Sequence, residues 1–569
     1  MKKTFLVTYI LLLAITLNSQ TLLTPFEKTE GRQTTTYTDC IQYYEKLDRL
    51  FNSILIKKIN TTDAGFPLHL ILFSADNHFD IHNWQKDKVV ILINNGIHAG
   101  EPDGIDASMM LARDLATGKV RAPQNVVIAF IAVYNIGGSL DRNSFSRVNQ
   151  MGPESYGFRG NAQNLDLNRD FTKNDSRNAR AFATIFHDLK PAIFIDNHVS
   201  DGADYQHTMT LLTTQQNKLG GPIATFLHNT LEPALYKTME KKGWPMTPYV
   251  NFEDGSPEKG WTAFYDPPRY SSGYTSLFQT IGFVPETHML KPFNERVLST
   301  YALMQTIIEE SSKHAKELVA ATTASRKAVV QQTQFPLAWV VDSSRYDTIR
   351  FRGYAASYKT SDVTGQQRLF YDHSKPFEKE VRFYDYFKGE NFVTAPKAYI
   401  IPQGWHDVID LLKLNNVVMG RLPKDTFITV ETYRVEAFKS GTKAYEKHHK
   451  NYHVVVSSKN GTMRFLKNDY VIYTNQPAKR YLVEMLEPTG DDSFFSWNFF
   501  DAILQQKEGY SNYRWEDVAA TYLQQQPGLR QQLEEKKKSD TAFAASATAQ
   551  LTFVYKNSPY YEPEHMRYP

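Results

Sequence analysis

Several strand-length runs early in the chain are apolar at nearly every position: Val89-Val90-Ile91-Leu92-Ile93, Asn125 to Val133, and Ala192-Ile193-Phe194-Ile195 ahead of Asp196. A strand with one wet face alternates in polarity, so strands apolar throughout belong in a sheet covered on both sides. Stretches with helical spacing separate them, at Asp103 to Leu115, Asn174 to Leu189, Pro222 to Lys241 and Phe293 to about Lys327. Buried strands alternating with helices predict an α/β domain built on a mixed, mostly parallel sheet flanked by helices.

Past Gln334 the pattern changes. Thr348-Ile349-Arg350-Phe351, His453-Val454-Val455-Val456 and Tyr481-Leu482-Val483-Glu484-Met485 read as short strands separated by turns. The chain has 569 residues, too many for one ordinary core. The expected division is therefore an α/β domain over residues 21–330 and a C-terminal β-rich domain of unknown role over 335–569. Gln524 to Ala549 is polar and reads as a surface helix or mobile segment.

The first twenty residues read differently. Lys2 and Lys3 precede an apolar run from Phe5 to Leu17, followed by Asn18-Ser19-Gln20. That layout fits a secretory signal peptide over 1–20, and with it a secreted or periplasmic bacterial protein. No later stretch is apolar enough to span a bilayer, so no stable membrane span is expected once the signal is removed. Cys40 is the single cysteine, which excludes internal disulfides and leaves stability to the core. The formal charge of +3 without a basic patch argues against nucleic acid as a partner.

Residues with chemistry gather where the strands end. Asn94-Asn95-Gly96-Ile97-His98-Ala99-Gly100-Glu101-Pro102 lies between a buried strand and a helix, where open α/β sheets bind ligands. In such a turn an imidazole and a carboxylate three residues apart can converge on one cation, and the glycines permit the tight backbone. Asn197-His198 follows another buried strand. Two histidines and one carboxylate with a fourth position open form the ligand set of a catalytic zinc site, here His98, Glu101 and His198. Between them runs Phe158-Arg159-Gly160-Asn161-Ala162-Gln163-Asn164-Leu165-Asp166-Leu167-Asn168-Arg169-Asp170-Phe171. Its guanidinium groups are suited to gripping a carboxylate or polarising a carbonyl.

The order His-x-x-Glu, then Arg-x-Asn-Ala-x-x-x-Asp-Leu-Asn-Arg-Asp-Phe, then a strand ending in His resembles the zinc carboxypeptidase family that includes carboxypeptidases A, B, D and E. The similarity covers roughly residues 45 to 320. It implies one zinc ion, peptide or protein C-termini as substrate, and hydrolysis by a metal-activated water. By motif, Arg159 would polarise the scissile carbonyl, while Asn168 and Arg169 would hold the terminal carboxylate. The resemblance also asks for a late glutamate as general base, which Gly282-Phe283-Val284-Pro285-Glu286 supplies in Glu286. The family's mobile tyrosine matches Tyr265 best by spacing, with Tyr270 and Tyr274 in the same loop as alternatives. The loop Asp266 to Gly273 departs from the family pattern, which leaves the preferred C-terminal residue open. Two other readings share these motifs: a zinc amidase or deacylase acting on cell-wall peptides or N-acyl amino acids, and a non-catalytic peptide-binding protein on the same fold. His448, His449 and His453 suit an irregular charged loop better than a second metal site.

Overall fold

The computed structural model describes residues 22–251, 255–561 and 566–569. The segment 1–20, expected as a signal peptide, lies outside these residues. Among the described residues, nine strands fall within the first three hundred positions: β1 (Ile54–Thr61), β2 (Pro67–Ser74), β3 (Val89–Asn95), β4 (Val126–Ile131), β5 (Ile193–Ser200), β6 (Met209–Thr213), β7 (Met246–Pro248), β8 (Trp261–Thr262) and β9 (Ile281–His288). Eight form one sheet in the order β1-β2-β4-β3-β5-β9-β6-β7. Its centre, β4-β3-β5-β9, is parallel, and antiparallel pairs flank it. This is a mixed sheet flanked by helices.

The apolar reading of β3 is explained by where its two faces go. Val89, Ile91 and Ile93 enter a core with helices Tyr37–Leu50, Asp103–Ala116 and Phe293–Lys313. Val90 and Leu92 enter a second core with helix Arg177–Leu189. Period-two alternation survives, but both sets of side chains are buried.

The second core also draws on the C-terminal part of the chain. Val408, Leu411 and Leu412 of helix His406–Leu414 join Val90, Leu92 and Phe194 in one cluster, as do Tyr481, Leu482 and Met485. Tyr481–Met485, expected as a strand, lies within helix Lys479–Leu486, and every residue of that helix is buried. A short apolar run without period fits a fully buried helix as well as a strand, and packing decides.

From Gln334 to Tyr473 strands predominate. Gln334–Val341 pairs with Phe387–Thr394, Asp347–Thr360 with Gln367–Tyr384, and Thr426–Ser440 with Asn451–Phe465, all antiparallel. Phe383 and Tyr384 extend the second hairpin onto β8 and so tie it to the first region. The end of the chain is helical, with Trp515, Phe543 and Tyr555 in a small core of their own. Among the described residues no helix is long and apolar enough to cross a membrane.

Candidate metal centre and cleft

Strand β3 ends at Asn95, and Gly96 then takes φ 64°, a left-handed conformation that glycine adopts without a Cβ clash. The turn that follows closes through the Glu101 N–H donating to the His98 carbonyl at 2.9 Å. Helix Asp103–Ala116 begins directly behind it, so close to β5 that a Cβ on Gly104 would stand 2.4 Å from the Asn197 Cβ. Asp103 ties this helix start to β9 by accepting the Thr287 hydroxyl at 2.6 Å, and to the Arg296 guanidinium at 2.9 Å. Three strand ends are thereby fixed around one point.

At that point His98, Glu101 and His198 are buried, and one donor atom from each lies within 4.8 Å of the others. Both imidazoles turn Nδ1 toward the carboxylate: His98 Nδ1 is 3.2 Å from Glu101 Oε1, and His198 Nδ1 is 3.3 Å from Oε2. Both turn Nε2 toward a second carboxylate, His98 to Asp166 Oδ1 at 2.9 Å and His198 to Asp196 Oδ2 at 3.1 Å. Ligand histidines backed by carboxylates on the distal nitrogen are oriented and made more basic, so this donor set suits zinc.

Charge is concentrated here. Burial alone would push the Glu101 carboxyl up, but His98 and Arg147 beside it hold it well below the usual carboxylate range. Burial opposes charge on His198, yet Asp196 and Glu101 lift it well above an ordinary histidine. Glu286 stands opposite His198 on the neighbouring strand β9. Burial pushes its carboxyl up to about 8, and the nearby Glu101 and Asp196 push the same way. A carboxyl poised near neutrality can both accept and give a proton.

These groups line a cleft of about 530 Å³ together with Arg159, Asn168, Arg169, Tyr249, Tyr270 and Asp266. Arg159 donates through Nε and Nη2 to Asp166 Oδ2 at 3.1 and 2.7 Å, and its side chain remains 46% exposed. The Asn168 backbone N–H donates to Asp166 Oδ1 at 2.9 Å, and the Arg169 guanidinium lies 4.2 Å over the Tyr270 ring. Of the expected residues, Tyr265 is outside this group, as is its alternative Tyr274. The Tyr265 ring packs on Phe387 at 5.6 Å, and Lys218 lies 5.3 Å over it, on the side facing the C-terminal region. Tyr274 is fully buried, its hydroxyl bonded to Asn415, so Tyr270 and Tyr249 are the tyrosines of the cleft. The loop that departs from the family pattern contributes Asp266, Tyr270 and Ser271 to the wall.

Some functional candidates escaped the sequence reading. Asp166 sits inside the quoted motif, two residues before Asn168, and spacing gave a usable signal for it. Asp196 precedes His198 by two on the same strand face, a signal of the same kind. Arg147, 3.0 Å from Glu101 Oε1, comes from a loop with no motif. His448 pairs with Asp175 at 2.8 Å and His449 bonds the Gly441 carbonyl, so these two histidines do not share a site.

Residues 40–218 match the family of zinc carboxypeptidases. The matched segment contains His98, Glu101, Arg159, Asn168, Arg169 and His198. Carboxypeptidase 2 of Trichophyton rubrum is 21% identical over 469 residues, covering 76% of this chain and 77% of the relative. Carboxypeptidase 2 of Trichophyton equinum is 21% identical over 463 residues, with 75% and 77% covered. Among solved structures, carboxypeptidase A from Helicoverpa armigera is 14% identical, with a TM-score of 0.38 over 50% of this chain and 75% of that one.

Proposed function

We propose that this chain is a secreted zinc-dependent carboxypeptidase that removes residues from peptide C-termini. The observation that carries this reading is the convergence of His98, Glu101 and His198 with Glu286 directly opposite His198. Zinc held by the first three would acidify a water and polarise a carbonyl. In this reading a Glu286 carboxylate oxygen takes the proton of the attacking water and returns it to the nitrogen of the leaving amine. Arg159 turns its guanidinium to the carbonyl oxygen as negative charge develops there, an effect typically worth a few kcal/mol. Arg169 lies over the Tyr270 ring with Nη1 bonded to the Asn168 carbonyl, and in this reading its other N–H groups take the substrate carboxylate, with Asn168 in the same cleft wall. Gripping the chain end sets which peptide bond lies over Glu286. Tyr270 replaces Tyr265 as the tyrosine assigned to the substrate. Secretion rests on the leader-like residues 1–20.

Incubation with a peptide library, read by mass spectrometry with and without a chelator, tests the proposal. Stepwise loss of C-terminal residues that the chelator stops is the expected result. Cleavage that the chelator leaves untouched, or release of acyl groups instead of C-terminal residues, would contradict it.

A further inference from the structure

A side chain of the C-terminal region reaches the residues around the candidate metal centre. Strands Thr426–Ser440 and Asn451–Phe465 form a hairpin, and its distal loop carries Tyr445, Glu446, Lys447 and His448. Tyr445 and His448 exchange backbone hydrogen bonds of 2.7 and 3.1 Å around the other two. Glu446 and Lys447 have φ of 48° and 75°. Two successive left-handed residues make a turn that favours Asn and Gly, and side chains with a Cβ are strained there. The loop is held down on both sides, by Tyr445 stacked on Trp497 and by His448 paired with Asp175 at 2.8 Å.

Glu446 Oε2 accepts the Asp166 N–H at 2.8 Å, across 280 residues of sequence. The carboxylate of the same Asp166 holds His98 Nε2 on one oxygen and Arg159 on the other. Setting one carboxylate beside another is electrostatically unfavourable, and so is the left-handed backbone that presents it. A residue that breaks two local rules at one place points to a role in the site.

We propose that Glu446 is a positioning residue for the metal centre: by fixing the Asp166 backbone, the C-terminal region sets the carboxylate that orients His98. The inference rests on the zinc reading above.

The test measures zinc affinity of the full chain by competition with a chromophoric chelator, together with thermal midpoints. Glu446→Gly removes the acceptor and relieves the left-handed backbone, so zinc affinity should fall about ten- to hundredfold while the midpoint of the metal-free chain holds or rises. Glu446→Gln keeps an acceptor oxygen and should stay within about threefold of wild type. Lys447→Gly relieves the neighbouring strain without touching Asp166, and affinity should not change. Wild-type affinity in Glu446→Gly overturns this inference alone, as does an equal loss in Lys447→Gly. A wild-type chain that takes up no zinc overturns the proposed function and this inference together.

Discussion

His198 and Glu286 face each other as register partners on the parallel strands β5 and β9. The spacing between the proposed metal ligand and the proposed general base is therefore set by the sheet itself, with no loop between them. Rigid elements hold such geometry better than loops do.

Replacing the Glu286 carboxylate by an amide should separate chemistry from assembly. Glu286→Gln is expected to lower kcat by about a hundred- to ten-thousandfold with zinc content unchanged. Metal analysis alongside peptide hydrolysis checks both halves, and a variant that keeps wild-type turnover would remove Glu286 from its role.

The two outer carboxylates should behave as a pair of supports. Asp166→Asn and Asp196→Asn are each expected to weaken zinc binding by about ten- to a hundredfold. Asp166→Asn should also loosen Arg159, so its kcat should fall further than that of Asp196→Asn at saturating zinc. Chelator competition and steady-state kinetics on the two variants make the comparison.

Arg169→Ala should raise KM more than it lowers kcat, because a grip on the terminal carboxylate is present before and during reaction. A peptide amidated at its C-terminus should be insensitive to the same substitution. Equal losses on both substrates would assign Arg169 to the chemical step.

His207 gives the fold an acid-sensitive joint. Its Nδ1–H donates to the Pro245 carbonyl at 3.0 Å, and its Nε2 accepts the Arg352 backbone N–H at 3.2 Å. Burial, helped by the Arg352 charge, lowers its pKa from 6.5 to about 4. The neutral ring is the one that fits, so stability is fully present above pH 6.5 and is lost as pH falls from there toward 4. By pH 5 the loss should be about 2 kcal/mol. Urea midpoints of wild type and His207→Gln at pH 7 and pH 5 test this, the variant losing that part of the pH dependence.

Leu482 is fully buried in the core shared by the sheet and the C-terminal region. Leu482→Ala should cost about 2–5 kcal/mol, a typical range for leucine in a tight core. Calorimetry should find the transition of the first region lowered too, although Leu482 is far from it in sequence.

Much of this was legible in advance, and unevenly. The sheet could be read because its central strands are apolar on both faces, and the convergence of His98, Glu101 and His198 because strand ends collect in one crevice. Tyr265 lies outside the cleft wall, because distance along the chain cannot tell which way a loop turns. Phe387, which captures its ring, comes from a strand more than a hundred residues later. Arg147 and Glu446 were invisible for a related reason: both reach the centre from loops whose local sequence has no period and no motif.

The core shared between Val90, Leu92, Phe194 and the late residues Tyr481 and Leu482 also sets a timetable. As the chain is synthesised, part of one sheet face stays bare until roughly three hundred further residues have followed, a very long loop to close. The first region cannot finish burying its strands on its own schedule. Until the late helices arrive it exposes sticky apolar surface, the condition in which chains aggregate or engage chaperones. Completion of the fold is thus an event of the whole chain, and a shortened version ending near residue 330 should be recovered as aggregate.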